Sequence, residues 1–283
     1  MIYVGTSGYG YHNWSPTFYP SWLLYEDYLD FYSEQFNCCE LTFTRYRIPT
    51  VEDQERLLRR SAGRLVFTVK AHRRLTHQRP LDNTKDLSLA RHFAASLAPL
   101  VQARKLGAVV AQFPFFFINN PDHRAYVCRL RAALEGLPLV VEFRHDSWFN
   151  EETLHFLRGW DIGVACVDIP KLAKLPGPRA LVTSELGYVR FHGRNASRWW
   201  KWWAPRSKDQ GYRYDYNYRR RELMGWIPRL REIEKQSKHT FVIFNNHWQG
   251  QAVINAQALQ KLLSRNSSVV TARQMAAAQL RAG

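Results

Sequence analysis

The 283-residue chain is predicted to fold as an α/β protein, a single-domain (β/α)8 TIM barrel. Three observations predict it. Eight short apolar runs recur along the sequence, each closing on a glycine, polar or charged residue. Segments with helical spacing separate most of them, which implies parallel strands joined by right-handed crossovers. The length suits a barrel, a fold that takes about 250 residues as one domain. No GxGxxG or GxxxxGK[ST] pattern marks an open nucleotide-binding sheet.

Taken in order, IYVGTS at 2–7 is the first strand. It starts at once, with no basic leader or greasy core, so a signal peptide is not expected. The segment 22–36 alternates aromatic and acidic residues and leads to CCELT at 38–42. A helix over 51–60 begins after Pro49-Thr50, an N-cap site with Asp53 close behind. LVFTVKAH at 65–72 is the third strand, and a long alanine-rich amphipathic helix is expected over 87–105. AVVAQF at 108–113 precedes a helix over 122–134 that follows Pro121; LVVEFRH at 139–145 precedes one over 151–158 behind Asn150, a good N-cap. After GVACVD at 163–168 the chain is irregular and proline-broken, so the sixth helix should be short or absent. YVRFHG at 188–193, a helix over 219–238, FVIFNN at 241–246 and a helix over 252–263 complete the series. The barrel domain is placed at 1–264, and 265–283 is expected to be an extension with a weak helix.

Composition narrows the partners. No apolar stretch reaches the roughly 18 residues of a membrane span, so a soluble, cytoplasmic protein without a membrane partner is expected. The formal net charge of +16 favours an anionic partner, either a small molecule or nucleic acid. The cysteines Cys38, Cys39, Cys128 and Cys166 form no CxxC pair and read as small buried hydrophobes.

Barrel active sites collect at the C-terminal strand ends, which here carry Ser7, Glu40, Lys70, Gln112, Glu142, Asp168, His192 and Asn245. Glu40 and Glu142 sit on apolar strands, where an unpaired carboxylate costs several kcal/mol. Lys70 is the natural partner, and a Glu–Lys–Glu cluster could set one carboxylate as base and hold the other as acid. The competing reading is a structural ion-pair layer closing the barrel mouth. Arg190 shares a strand face with His192, and Arg144 shares the Glu142 face, where it could hold an anionic group. In the catalytic reading Lys70 and Arg190 stabilise charge and His192 carries protons, while Ser7, Gln112 and Asn245 position substrate.

Asp168, His77 and His192 could join the carboxylates around a divalent metal, Mg²⁺ or Mn²⁺ on oxygen ligands or Zn²⁺ on the histidines. No HxH, HExxH or DxD run supports one, and a lysine within the set opposes it. The segment 194–221 interleaves Lys and Arg with tryptophans, Trp199 and Trp200 among them, and tyrosines. Such a mix can stack bases while neutralising phosphates, or form a lid packed on the barrel and on Trp148 or Trp248. Tyr9 belongs to an aromatic group flanking the first strand that would suit a planar ring or a sugar face.

The chain also resembles the YecE-like family, domain of unknown function 72. The motifs are GTSGY at 5–9, FYP at 18–20, FNxxE at 36–40, TxYRIP at 44–49, VKAH at 69–72, LTH at 75–77 and QFP at 112–114. VEFRHxSW at 141–148, RFHGR at 190–194, YDYxY at 214–218 and FNN at 244–246 follow. The resemblance covers about 1–263 and implies a (β/α)8 barrel. It adds Tyr46 to the substrate-contact candidates and suggests that Asp215 and Tyr216 close over the site. The chain departs from the family pattern at Thr42 and Arg45, where an asparagine and a phenylalanine are usual, and at His247 and Trp248.

Three functions stay open: acid–base hydrolysis of a phosphodiester or glycosidic bond in a phosphorylated or nucleic-acid-derived substrate, non-catalytic nucleic-acid binding through 194–221, and lysine-dependent isomerase or aldolase chemistry.

Overall fold

The computed structural model describes residues 1–77, 88–200 and 212–264. Eight parallel strands close into a barrel in sequence order. They are β1 (Ile2–Ser7), β2 (Cys38–Leu41), β3 (Val66–Lys70), β4 (Leu106–Gln112), β5 (Leu139–Glu142), β6 (Gly163–Asp168), β7 (Leu186–Phe191) and β8 (His239–Phe244). Closure is by β1 pairing with β8, Ile2 opposite Thr240 through Thr6 opposite Phe244. Gly5 makes the β1–β2 approach possible, since a Cβ there would lie 2.1 Å from the Cys38 carbonyl oxygen.

Strand alternation divides the core in two. Val4, Cys39, Phe67, Val109, Val141, Cys166, Val189 and Val242 face outward and pack in one large cluster with the helices. Tyr3, Cys38, Ala108, Val140, Ala165, Tyr188 and Phe241 fill the barrel interior. Cys38 and Cys39 thus point to opposite faces, and all four cysteines are free.

The helices are α1 (Tyr28–Gln35), α2 (Val51–Arg60), α3 (Arg73–Thr76), α4 (Ser88–Ser96), α5 (Ala98–Gln102), α6 (Pro121–Ala133), α7 (Glu151–Gly159), α8 (Arg220–Met224), α9 (Ile227–Gln236) and α10 (Gln251–Ser264). Thr50 and Asp53 cap α2 reciprocally, and Asn120 and Asn150 cap α6 and α7. The chain between β6 and β7 forms no helix. Two expected long helices are each split. The 87–105 segment divides at Leu97, where Pro99 enters the first turn of α5, and the 219–238 segment divides at Gly225 and Trp226, where Pro228 enters the first turn of α9. Proline is accepted in a first turn, where its missing N–H has no partner to lose. Among the described residues no helix is long and apolar enough to cross a membrane. The 265–283 extension lies outside the described residues.

Candidate active site

The C-terminal mouth holds a cavity of about 610 Å³ above a buried layer of charge. The layer follows from strand parity. Glu40, Glu142 and Arg190 are inward positions of β2, β5 and β7, and all three are fully buried. The Arg190 guanidinium crosses the barrel, with Nη2 2.7 Å from Glu40 Oε1 and Nη1 2.6 Å from Glu142 Oε2. Ser7 Oγ and the Tyr188 hydroxyl also donate to Glu40, at 2.5 and 2.9 Å. Arg144 Nη2 lies 2.6 Å from Glu142 Oε1, and His192 Nε2 is 3.2 Å from the same oxygen. Burial alone would raise the Glu142 carboxyl, but Arg144, Arg190 and His192 outweigh it and hold the group well below the usual carboxylate range. Burial and the Arg144 charge together keep His192 neutral. The Asn245 amide lies 3.0 Å from Nδ1, and Arg144 Nη2 lies 3.1 Å from Nε2.

The expected Glu–Lys–Glu cluster is therefore a Glu–Arg–Glu cluster. Arg190 has the reach and the two-pronged head to hold carboxylates from opposite walls. Lys70 turns to its neighbouring strand, its Nζ donating to Gln112 Oε1 at 3.1 Å. No carboxylate lies within ion-pair distance of Lys70 among the described residues. Burial, with the Arg190 charge second, brings the Lys70 ammonium down to about 7, against the weaker pull of Glu40. Lys70 lines the cavity; Glu40, Glu142, Arg190 and His192 lie beneath its floor.

The walls are cationic and aromatic. Ser7, Tyr46, His77, Gln112, Arg144, Trp199, Trp200 and Asn245, all expected at the site, line the cavity with Lys70. Trp199 is buried with Arg144 above its ring at 5.6 Å and Arg213 at 4.3 Å. Trp200 packs edge-on against Phe115 at 4.8 Å. His77 lies 3.2 Å from Arg45, and burial, Arg45, Lys70 and Arg144 push its pKa down to about 3. The Arg144 Nε and Nη1 atoms are buried without a hydrogen-bond partner among the described residues.

Besides the four residues beneath the floor, five further expected residues stand outside the cavity. Tyr9 packs on Tyr32 at 6.3 Å, and Trp148 stacks on Phe143 at 4.0 Å behind the barrel wall. Asp215 accepts from Gln251 at 2.8 Å, and Tyr216 donates to Glu222 at 2.6 Å. Asp168 is an outward position of β6. It receives Arg194 at 2.6 and 2.7 Å, the Tyr218 hydroxyl at 2.8 Å and the Trp226 indole N–H at 2.6 Å. Arg194 also reaches Glu222 at 3.1 Å. Asp168 is thus the anchor of the segment after β7 that brings Trp199, Arg213 and Tyr214 over the mouth. Replacing Asp168 with asparagine should lower stability by about 2 kcal/mol, the scale of charge-assisted hydrogen bonds; urea denaturation would show it, and an unchanged midpoint would refute the anchoring role.

Tyr11, one of the aromatic residues flanking the first strand, lines the cavity, and so do Arg45, Arg213, Tyr214 and His247, which were not singled out as contacts. Arg45 and His247 are positions where the chain departs from the family pattern, and Tyr214 opens the YDYxY motif, so each carried a signal. Tyr11 stacks on His247 at 4.7 Å, and burial lowers the His247 pKa to about 4. The potential metal ligands are dispersed: among the described residues no three His, Cys, Asp or Glu side chains gather where they could hold an ion.

A closed eight-stranded parallel barrel with a basic, aromatic-walled cavity at its C-terminal mouth defines the class: a single-domain (β/α)8 barrel. The chain belongs to the family described as "Protein of unknown function DUF72", which matches residues 3–280. The UPF0759 protein YunF of Bacillus subtilis (strain 168) is 33% identical over 287 residues, covering 97% of this chain and 99% of the relative. A crystal structure of a DUF72 family protein from Thermotoga maritima MSB8 superposes with a TM-score of 0.84 at 36% identity, covering 93% of this chain and 99% of that one. One from Enterococcus faecalis V583 gives a TM-score of 0.78 at 26% identity, covering 95% and 97%.

Proposed function

We propose that this barrel is an enzyme that binds an anionic small molecule in its mouth and moves protons through Lys70. The observation that carries this reading is the placement of Lys70. Its amine lines the cavity, is tethered by Gln112 rather than a carboxylate, and has a pKa of about 7. A general base works best when its pKa lies near the operating pH. Arg45, Arg144 and Arg213 supply positive charge on the walls, and the burial of Arg144 makes its charge more effective than it would be in water.

The geometry favours this over a carboxylate-pair hydrolase. Such an enzyme needs both carboxyl groups flanking the scissile bond, whereas Glu40 and Glu142 face Arg190 below the floor. It also favours a small ligand over a nucleic-acid strand. Trp199 is 1% exposed with Arg144 and Arg213 over its ring, which leaves little of it for base stacking; residues 201–211 of the basic aromatic segment lie outside the described residues.

The test is a binding screen of sugar phosphates, nucleotides and carboxylates read by tryptophan fluorescence, followed by turnover assays on the binders. Lys70→Met should lower kcat by about 10²–10⁴-fold while leaving affinity within about tenfold, as expected for loss of a general base. The wild-type rate should rise through pH 7 and level off above it, because the base is the deprotonated amine. Absence of saturable binding, or full turnover by Lys70→Met, would refute the proposal.

A further inference from the structure

The same lysine is placed for covalent chemistry, and this inference rests on the reading of Lys70 as the reactive group. We infer that the cavity takes an aldehyde or ketone bearing an anionic group, that Arg144 holds the anion, and that the Lys70 amine condenses with the carbonyl.

The argument starts from hydrogen-bond capacity. A neutral amine has two N–H donors and one lone pair. Lys70 Nζ spends a donor on Gln112 Oε1 at 3.1 Å, a contact that fixes the end of an otherwise flexible chain. Gln112 ends β4 two residues before Pro114, and its backbone is paired with Glu142 in the barrel, which fixes where the tether starts. The other N–H and the lone pair are left for the cavity. An ion pair with Glu40 or Glu142 would have locked the nitrogen in its protonated, non-nucleophilic form. Arg190 prevents this by occupying both carboxylates itself.

The second observation concerns Arg144. One nitrogen of its guanidinium is committed, Nη2 lying 2.6 Å from Glu142. Nε and Nη1 are not committed: both are buried and lack a hydrogen-bond partner among the described residues, and the residue is only 5% exposed. Leaving buried donors unsatisfied costs free energy that a bound acceptor recovers. A phosphate or carboxylate oxygen can accept a charge-assisted hydrogen bond from either of these nitrogens. Arg144 and Lys70 line the same cavity, so one ligand can meet both.

The condensation balances without an oxidant or a further reactant. The nitrogen lone pair attacks the carbonyl carbon, and the carbonyl oxygen takes up the proton released by the amine to give a carbinolamine. The nitrogen lone pair then forms the C=N bond while the hydroxyl leaves with one more proton as water. Attack of water on the imine reverses the sequence and frees the lysine. While it lasts, the imine withdraws electrons from the adjacent carbon, the property that serves isomerisation and carbon–carbon cleavage.

The experiment treats the full-length protein with glyceraldehyde 3-phosphate, glyoxylate or uncharged glyceraldehyde in the presence of borohydride, and maps the reduced adducts by mass spectrometry. The expected result is stable labelling of Lys70 ahead of the other lysines, at least about tenfold faster with an anionic aldehyde than with glyceraldehyde. Whether the phosphate or the carboxylate reagent reacts faster identifies the anion the site prefers. Inorganic phosphate, added to the wild-type protein, should slow labelling by the phosphorylated reagent. This arm needs no variant, so it does not depend on any substitution folding. Equal rates for charged and uncharged aldehydes, or labelling spread over surface lysines, would overturn the inference. If the anionic compounds quench tryptophan fluorescence saturably yet leave Lys70 unlabelled, covalent catalysis fails and proton transfer by Lys70 stands. If they neither bind nor label, both fail.

Discussion

Arg190→Met should destabilise the protein by about 3–5 kcal/mol, the cost of leaving buried charge without its partner. The substitution is close in length and apolar, so it leaves little void. Its effect is electrostatic. Glu40 and Glu142 are fully buried, and Arg190 is the cation shared between them. Without it, Glu40 keeps the Ser7 and Tyr188 hydroxyls but loses its counter-charge. Glu142 keeps Arg144, so Glu40 should bear more of the loss. Glu40→Gln in the Arg190→Met background should therefore recover more stability than Glu142→Gln does. Arg190→Lys should rescue poorly, because one ammonium cannot present two separated donors to carboxylates on opposite walls. Urea denaturation of the five proteins checks the series. A loss below about 1 kcal/mol for Arg190→Met would mean the layer is not a charge-paired seal.

The strands were legible because strands buried on both faces are written as nearly continuous apolar runs. That pattern reports existence and order well. It does not report which face a terminal residue takes. Asp168 ends its strand as Glu142 does, yet Glu142 points inward and Asp168 outward. The difference lies in parity: Ala165 belongs to the interior cluster and Cys166 to the outer one, so alternation from Ala165 places Asp168 outside. The identity of the partner cation was harder to read. Lys70 is the nearer strand neighbour of Glu40, but the barrel lets a long side chain from β7 cross the axis, which no distance in sequence encodes. The divided helices were legible in principle, since Pro99 and Pro228 each sit inside the expected helical spans. The role of Asp168 as an anchor depends on Arg194, Tyr218 and Trp226 converging from three points after β7, and only tertiary structure shows it.

Stability should fall steeply as the pH drops from 6.5 towards 4. His77 and His247 are half-buried at the cavity and His192 is buried beneath it, and desolvation leads the causes that lower each from the ordinary value of 6.5. His77 falls to about 3 and His247 to about 4, while His192 is held well below the usual range. In the folded protein these imidazoles are neutral at pH 5; in the unfolded chain they are protonated. The unfolded state therefore binds more protons across this window, and stability rises with pH through it and is lost as pH falls. Each excess proton contributes up to about 1.4 kcal/mol per pH unit, so the three together set an upper slope of about 4 kcal/mol per unit. Glu142 acts in the same direction below its ordinary value of 4.5, where the unfolded carboxyl takes a proton that the native one refuses. Lys70 leaves this window unaffected, because at pH values below 7 it is protonated in both states; its own contribution rises between 7 and 10.5. Urea midpoints at half-unit intervals from pH 7 to pH 4 would measure the slope. His247→Phe keeps an aromatic ring to stack on Tyr11 and removes one titrating group, so it should reduce the slope by about a third of the three-histidine total. A stability maximum near pH 5, or a slope unchanged in His247→Phe, would show that the mouth histidines titrate normally and that the cavity is wetter than its packing implies.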